Sequence, residues 1–503
     1  MSSLVVVGNG MAGARLVQEL LARDPARDRD ITVVGDEPGG AYNRMQLSNV
    51  LAGTTRSDAI DLAPPEWYAA HDVTLVAGRA VTGIDRAARR VHVGTGGRDG
   101  TAAALPYDDL VLATGSDAVL PPVAGLLTGD GLLPGVATFR TLADCVRIDE
   151  LARTAGRAVV LGAGVLGLEA ARGLAGRGLD VTLVQRGRRL MERQLDAEAA
   201  RTLARSLAAL GLTVSTGSGV AGVTGEDRLD GVVLGDGRRL PCDLLVLCCG
   251  VRPRVELATA AGLPTRRGVL VDDELRSVGD PHVRAIGECA EHEGTTYGLV
   301  APCWEHARVV ADLLADPACG TRYRGSAVVT RLKAAGLELA TVGEAHAAGD
   351  ADDDADLEVV RFSDTARGVY QKLVVRDGRL TGAILLGDTR TVGTVTQLYD
   401  RGALLPPDRS ALLLPRRAGA TEAVESPTAL PATATVCQCN GVTKGAIVSA
   451  WQDGARTAAD VAARTRATTG CGTCRDTVCG LVEWLAAADP DEPAPTRVLD
   501  RAG

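Results

Sequence analysis

Lysine is almost absent: of 54 basic residues, all but Lys333, Lys372 and Lys444 are arginine. With a formal net charge of −9, that usage reads as coding bias rather than a cationic surface, and it argues against nucleic acid as the main partner. No run of 18 apolar residues is present to cross a membrane, and no signal segment precedes the apolar run at Leu4. The expected address is therefore the cytoplasm, where cysteines serve more often as metal ligands or reactive thiols than as disulfides. Cysteine is missing from one whole region, since none of the 12 precedes Cys145, and four of the last five stand in two close pairs. At 503 residues the chain should hold several domains.

What is present begins at once. Leu4-Val5-Val6-Val7 reads as a buried strand that turns into Gly8-Asn9-Gly10-Met11-Ala12-Gly13, a G-x-G-x-x-G, with a helix over Ala14–Ala22 behind it. In such a unit the first glycine makes the tight turn, the second lets backbone approach a pyrophosphate, and the third lets helix pack on strand. A second strand, Ile31 to Val34, ends in Gly35-Asp36-Glu37 and offers a carboxylate for a ribose diol. The loop Tyr42-Asn43-Arg44 to Leu47-Ser48-Asn49 would lie past that strand, where Arg44 and Ser48 can hold phosphate or ring oxygens. Val73–Val76 and Arg90–Val93 read as edge strands of an inserted sheet, and Asp109 to Gly115 as a strand with a small-residue crossing turn.

The pattern then repeats. Val159-Val160-Leu161 leads to Gly162-Ala163-Gly164-Val165-Leu166-Gly167, a helix carrying Glu169, and a second strand, Val181 to Val184. Two complete units imply two bound dinucleotides. Where an NAD-selective site would place an acid stand Gln185 and Arg186, with Arg188 and Arg189 beyond, so no carboxylate is expected to repel a 2′-phosphate and the pattern leans to NADPH. Leu244–Leu247 is a buried strand into Cys248-Cys249-Gly250, the two cysteines pointing to opposite faces of one strand as small core residues. His282 to Glu288 reads as a last strand returning to the first cofactor.

Strands are expected around Ala327–Leu332, Glu358–Phe362, Gln371–Val375 and Gly382–Leu386, interrupted by an acidic solvated loop, Asp350–Asp356. Arg416–Thr435 has no apolar periodicity and two prolines, and reads as a flexible tether. Beyond it Cys437-Gln438-Cys439 and Cys471-Gly472-Thr473-Cys474 bracket two helices, Lys444–Asp453 and Ala458–Thr465, with a third from near Cys474 through Leu485. Four thiolates in a small helical domain suit zinc or an iron–sulfur cluster, and spacing alone does not choose. Cys479, one turn on, is expected in the core.

On these residues the chain resembles the two-dinucleotide, glutathione-reductase-like flavoprotein oxidoreductases. The runs Tyr42–Gly53, Phe139–Cys145, Leu190–Asp196, Ala285–Ala290 and Arg331–Glu344 are similar to one branch, that of the assimilatory NAD(P)H nitrite reductase large subunit and the nitrate reductase electron-transfer subunit. The tail resembles the bacterioferritin-associated-ferredoxin-like [2Fe–2S] domain of the same branch. The implied fold is α/β: two Rossmann-like domains, a small α+β third domain and a small helical [2Fe–2S] domain. The implied limits are 1–115 plus 250–320 for FAD, 116–249 for NAD(P)H, 321–415 for the third domain, 416–435 for the linker, 436–485 for the cluster and 486–503 for a tail. By this resemblance Gly8, Gly10, Met11, Ala12, Gly13, Glu37, Arg44, Ser48, Val81, Ala113, Thr114, Gly115, Arg140, Gly287 and Glu288 fall on FAD positions. Gly162, Gly164, Val165, Leu166, Gly167, Glu169, Gln185, Arg186 and Gly250 fall on NADH or NADPH positions, Glu169 near the nicotinamide, and Cys437, Cys439, Cys471 and Cys474 ligate the cluster. Two residues depart from pattern: Glu288 stands where relatives often have Asp, and Asn49 where monooxygenase-type ferredoxin reductases have Lys.

Disulfide reductases of this fold need a cysteine pair beside the flavin, and peroxide-handling members need one. Residues 1–144 supply none, so reduced flavin is expected to feed another acceptor, and a [2Fe–2S] centre takes electrons singly. The implied protein is a two-to-one electron converter whose tether lets the cluster domain swing. The sequence ends 29 residues after Cys474, without a sirohaem domain. The expected acceptor is thus a separate molybdenum nitrate reductase, or next a sirohaem nitrite reductase; alternatives are a ferredoxin-type reductase for an oxygenase and a redox-sensing regulator.

Overall fold

The computed structural model describes residues 2–24, 26, 28–94, 103–129, 131–346, 357–414, 430–437, 440–470 and 474–488. It divides into two compact units, Met1–Thr389 and Arg390–Gly503.

The first unit contains one plan used twice. Strand Ser2–Val7 sits in the middle of an eight-stranded sheet, parallel to Arg29–Val34 on one side and Asp109–Leu112 on the other. Leu4, Val5, Val6 and Val7 are all buried, as an apolar run covered on both faces requires. Helix Met11–Arg23 follows, starting three residues earlier than the sequence suggests, and packs on helix Val300–Ala315. A five-stranded parallel sheet repeats the motif around Arg157–Leu161, flanked by Leu244–Leu247 and Asp180–Gln185. Helix Val165–Gly176 stands behind its glycine loop. Each Rossmann sheet is accompanied by a three-stranded antiparallel one: Val81–Asp85, Arg90–Val93 and Ala103–Pro106 in the first, Val220–Thr224, Gly231–Leu234 and Arg239–Pro241 in the second. The chain crosses between the domains on paired antiparallel strands, Ser116–Ala118 with Val251–Pro253.

Several expectations change. Thr74–Val76 is the edge strand of the main sheet, parallel to Arg29–Val34, and does not belong to an inserted sheet. Cys248 and Cys249 lie just past the end of strand Leu244–Leu247, in the crossing turn, and not on two faces of one strand. The third domain has five antiparallel strands where four were expected; Leu337–Gly343 pairs Val329–Ala334 with Arg379–Leu386. It is held to the second Rossmann domain by a buried pair: Lys372 Nζ lies 3.1 Å from Asp196 Oδ2, which also accepts from the Tyr370 hydroxyl at 2.7 Å. The acidic loop 350–356 lies outside the described residues.

The second unit begins earlier than residue 416. Helix Val392–Asp400 and the turn Arg409–Leu412 belong to it. Three further helices, Lys444–Gln452, Ala458–Thr465 and Arg475–Ala488, follow the expected pattern, the last running past 485. The last residues of the presumed tether are part of this fold. Ala434 is buried, Thr435–Cys437 is a strand, and the Leu430 carbonyl accepts from Lys444 Nζ at 2.8 Å. Arg401 Nη2 donates to Thr433 Oγ1 at 3.0 Å, so both sides of segment 415–429 are tied within one unit.

Candidate functional site

The two glycine loops have the same internal geometry. Gly8 has φ +116°, and a Cβ added there would meet the Ala113 carbonyl oxygen at 2.1 Å; one at Gly13 would meet the Gly8 carbonyl oxygen at the same distance. In the second loop Gly162 has φ +108° and its Cβ would lie 2.2 Å from the Cys248 carbonyl oxygen, while Gly167 would strike Gly162. Only glycine satisfies both constraints. The middle glycines are different: beside Gly10 and Gly164 an added Cβ meets nothing within 4 Å. Each is the N-cap of its helix, with extended backbone and no side-chain cap. Two sets of uncapped helix N–H groups therefore face open space, the arrangement a diphosphate fills.

Around the first loop lies an open cleft of about 210 Å³. Gly8, Gly10, Met11, Ala12, Glu37, Arg44, Ala113, Thr114, Gly115, Arg140, Gly287 and Glu288 line it. Gly13 packs against Gly8, while Ser48, buried in the helix Leu47–Leu51 with its hydroxyl unpartnered among the described residues, and Val81, which starts a strand of the antiparallel sheet, do not line it. The Glu37 carboxylate accepts from the Tyr42 hydroxyl at 2.7 Å and from Arg44, whose Nη1 also donates to the Tyr42 oxygen at 2.9 Å. Burial raises the Tyr42 phenol above its ordinary range, which keeps it a donor to that carboxylate. Arg44 Nη1 also donates to the Arg140 carbonyl at 3.3 Å, and beside it Glu288 Oε2 accepts from Ser116 Oγ at 2.5 Å and from Arg140, while Arg140 Nη2 donates to Ser116 Oγ at 2.9 Å.

Several lining residues had no signal in the sequence. Ser116 and Arg254 reach the cleft from the crossing strands, Arg254 pairing Asp36 at 2.8 Å and Asp117 at 2.5 Å. Asn9 is held by the Tyr68 hydroxyl at 2.5 Å. Cys303 also lines the cleft, so helix Val300–Ala315 supplies a cysteine that residues 1–144 lack. Its Sγ donates to the Leu299 carbonyl at 3.1 Å, and burial pushes the thiol far above its usual range. A thiol so held stays protonated and unreactive at neutral pH.

In the second loop, Val165, Leu166 and Gly167 begin the helix and Glu169 is buried one turn in. Gln185 folds back, its Oε1 accepting from Ala163 N–H at 3.0 Å. Arg186 and Arg188 are exposed and make no ion pair among the described residues. A carboxylate is nonetheless present in this turn, contrary to expectation: a Cβ at Gly187 would meet that of Glu192 within 2.4 Å. Glu192 lies seven residues beyond the strand, too far along for the strand-end rule to reach. Gly250, with φ +95° and open space beside it, forms the crossing turn.

In the second unit Cys437 and Cys474 are buried, at the end of strand Thr435–Cys437 and before helix Arg475–Ala488, where the Cys474 carbonyl accepts from Val478 N–H at 2.9 Å. Cys439 and Cys471 lie outside the described residues. Asn440, buried and next to Cys439, donates Nδ2 to the Arg466 carbonyl at 2.6 Å and to Thr469 Oγ1 at 3.2 Å. It thereby ties the residue after Cys439 to Arg466 and Thr469, just ahead of Cys471 in the sequence. That bond joins residues 26 positions apart and leaves no local pattern.

Residues 2–307 match the pyridine nucleotide-disulphide oxidoreductase family, residues 329–402 the rubredoxin NAD+ reductase C-terminal domain, and residues 435–484 the BFD-like [2Fe-2S] binding domain. The chain is 36% identical over 494 residues to the assimilatory nitrate reductase electron transfer subunit of Bacillus subtilis, covering 98% of this chain and 61% of that protein. It is 35% identical over 497 residues to the nitrite reductase [NAD(P)H] of the same organism, covering 98% and 58%. The chain thus spans about three fifths of the length of these curated relatives. Among solved structures, a ferredoxin reductase from Rhodopseudomonas palustris superposes with a TM-score of 0.71 at 28% identity, over 82% of this chain and 97% of that one. FAD, a nicotinamide dinucleotide and a [2Fe–2S] cluster are the cofactors that go with these matches, and the open glycine cradles fit the first two. The chain belongs to the pyridine nucleotide-disulphide oxidoreductase family, as an FAD-dependent NAD(P)H oxidoreductase with a BFD-like [2Fe–2S] domain.

Proposed function

We propose that the protein takes electrons from NADH or NADPH and hands them singly to a separate terminal reductase, a molybdenum-containing assimilatory nitrate reductase, in the cytoplasm. The observation that carries this reading is the duplicated closed–open–closed glycine loop in a chain that also contains a [2Fe–2S] domain. FAD, when bound, supplies the exchange between a two-electron donor and a one-electron centre. The chain's own groups bind and orient. Gly10 and Gly164 leave room for the two diphosphates, and Glu37 with Arg44 and Arg140 with Ser116 and Glu288 hold the wall of the first cleft. Arg186 and Arg188 supply cations for a 2′-phosphate. No helix among the described residues is long and apolar enough to cross a membrane.

The likeness to the assimilatory nitrate reductase electron transfer subunit of Bacillus subtilis supports a nitrate reductase as the acceptor. The likeness to a ferredoxin reductase supports a second reading, service to an oxygenase. Anaerobic titration with NADPH, followed by visible absorption and EPR, should bleach the flavin band and raise a reduced [2Fe–2S] signal. Cys437→Ser should abolish the EPR signal while flavin bleaching persists. NADPH-dependent nitrate reduction on mixing with a purified molybdenum nitrate reductase is the expected final result. Turnover with a ferredoxin and none with that enzyme would replace the first reading by the second.

A further inference from the structure

Helix Val300–Ala315 carries His306, which is 1% exposed. Its Nδ1 accepts from the backbone N–H of Gly287 at 3.1 Å, so the proton of the neutral ring sits on Nε2. That Nε2–H has no hydrogen-bond acceptor among the described residues; the ring of Tyr323 stands at 88° to the imidazole with centroids 4.4 Å apart. Burial, with a smaller effect of His292, pushes the ring's pKa down to about 3, so Nδ1 remains an acceptor at neutral pH. An orphaned interior donor is unfavourable, and leucine would fill the place without one. What imidazole adds is an acceptor for Gly287.

Gly287 is a constrained point of the cleft wall. It has φ +77°, and a Cβ there would meet Ala12 Cβ at 3.0 Å and Cys303 Sγ at 3.8 Å. The next residue, Glu288, holds the Ser116–Arg140 network. Gly287 and Glu288 line the cleft, whereas His306 does not. The acceptor that fixes this turn is thus supplied from behind it.

We propose that His306 is a positioning residue for the flavin: through Nδ1 it holds the Gly287 amide, and with it the Glu288 turn, in the shape that binds FAD. The inference rests on FAD occupying the cleft and is independent of the terminal acceptor. His306→Leu and His306→Asn test it, the asparagine Oδ1 replacing Nδ1. In reconstitution of the full-length protein, His306→Leu should bind FAD about tenfold more weakly and shift the flavin absorption band. His306→Asn should stay within about threefold of wild type. Wild-type affinity and spectrum in His306→Leu would overturn the proposal, as would an asparagine variant as impaired as the leucine one. Failure of the wild-type protein to take up FAD would instead overturn the cleft assignment. Should neither variant fold, 15N NMR of the histidine-labelled wild type decides: the Nε2–H tautomer at His306 is expected, and an Nδ1–H ring refutes it.

Discussion

The closed–open–closed loop makes a sharp prediction, because two glycines of one loop, Gly8 and Gly10, should fail in different ways. Alanine at Gly8 must adopt φ +116° and place Cβ 2.1 Å from the Ala113 carbonyl oxygen and 2.5 Å from its carbon. The backbone conformation costs about 1–3 kcal/mol and the overlap about 1–3 more, a sum of about 2–6 against a typical stability of about 5–15 kcal/mol. Flavin-free Gly8→Ala should therefore unfold at clearly lower urea concentration than wild type. Gly10 has φ −87° and open space beside it, so Gly10→Ala should alter flavin-free stability by less than about 1 kcal/mol. The new methyl instead occupies the diphosphate's approach; at about 1–3 kcal/mol that weakens FAD binding about 5- to 150-fold. Urea unfolding of the flavin-free proteins and fluorescence titration with FAD separate the two effects. Gly162→Ala and Gly164→Ala repeat the experiment for the nicotinamide cofactor. A flavin-free Gly8→Ala as stable as wild type, or a Gly10→Ala that binds FAD normally, would refute the loop geometry as the basis of binding.

His306 gives the protein a specific acid sensitivity. Its folded pKa, about 3, lies below the ordinary value of 6.5, so the unfolded chain binds a proton that the folded one refuses. Stability should fall as pH drops below 6.5, by about 1.4 kcal/mol per unit and about 2 kcal/mol at pH 5; melts of His306→Asn should lack that slope. Arg186→Ala with Arg188→Ala should raise KM for NADPH about tenfold and leave KM for NADH nearly unchanged. Equal effects on both donors in steady-state assays would remove the 2′-phosphate assignment. At the third domain, Asp196→Ala removes the carboxylate that accepts from buried Lys372, from Tyr370 and from the Ala199 N–H, and should cost about 3–5 kcal/mol. Lys372→Met should cost less, because Asp196 keeps Tyr370 and the Ala199 N–H, and equal denaturant midpoints would contradict this.

Both dinucleotide loops could be read from the sequence because their constraints are local: strand, turn and helix lie within a dozen residues, and each glycine answers to its own backbone. The walls of the cleft could not. Ser116 meets Glu288 across 172 positions, Arg254 meets Asp36 across 218, and Cys303 arrives on a helix whose local pattern describes only its packing against Met11–Arg23. The missed strand Leu337–Gly343 has another cause. Glycine and small residues blur its period, and its position is fixed by neighbours on both sides. Glu192 was invisible for a similar reason, since the turn that carries its carboxylate back to Gly187 is tertiary.

Segment 415–429 departs from and returns to the same unit, with Arg401 joined to Thr433 across it. A connection with both feet on one body sets no reach between bodies. A reporter domain spliced between Leu414 and Leu430 should therefore leave electron delivery intact, making this the natural port for wiring the protein to a fluorescent sensor or an electrode.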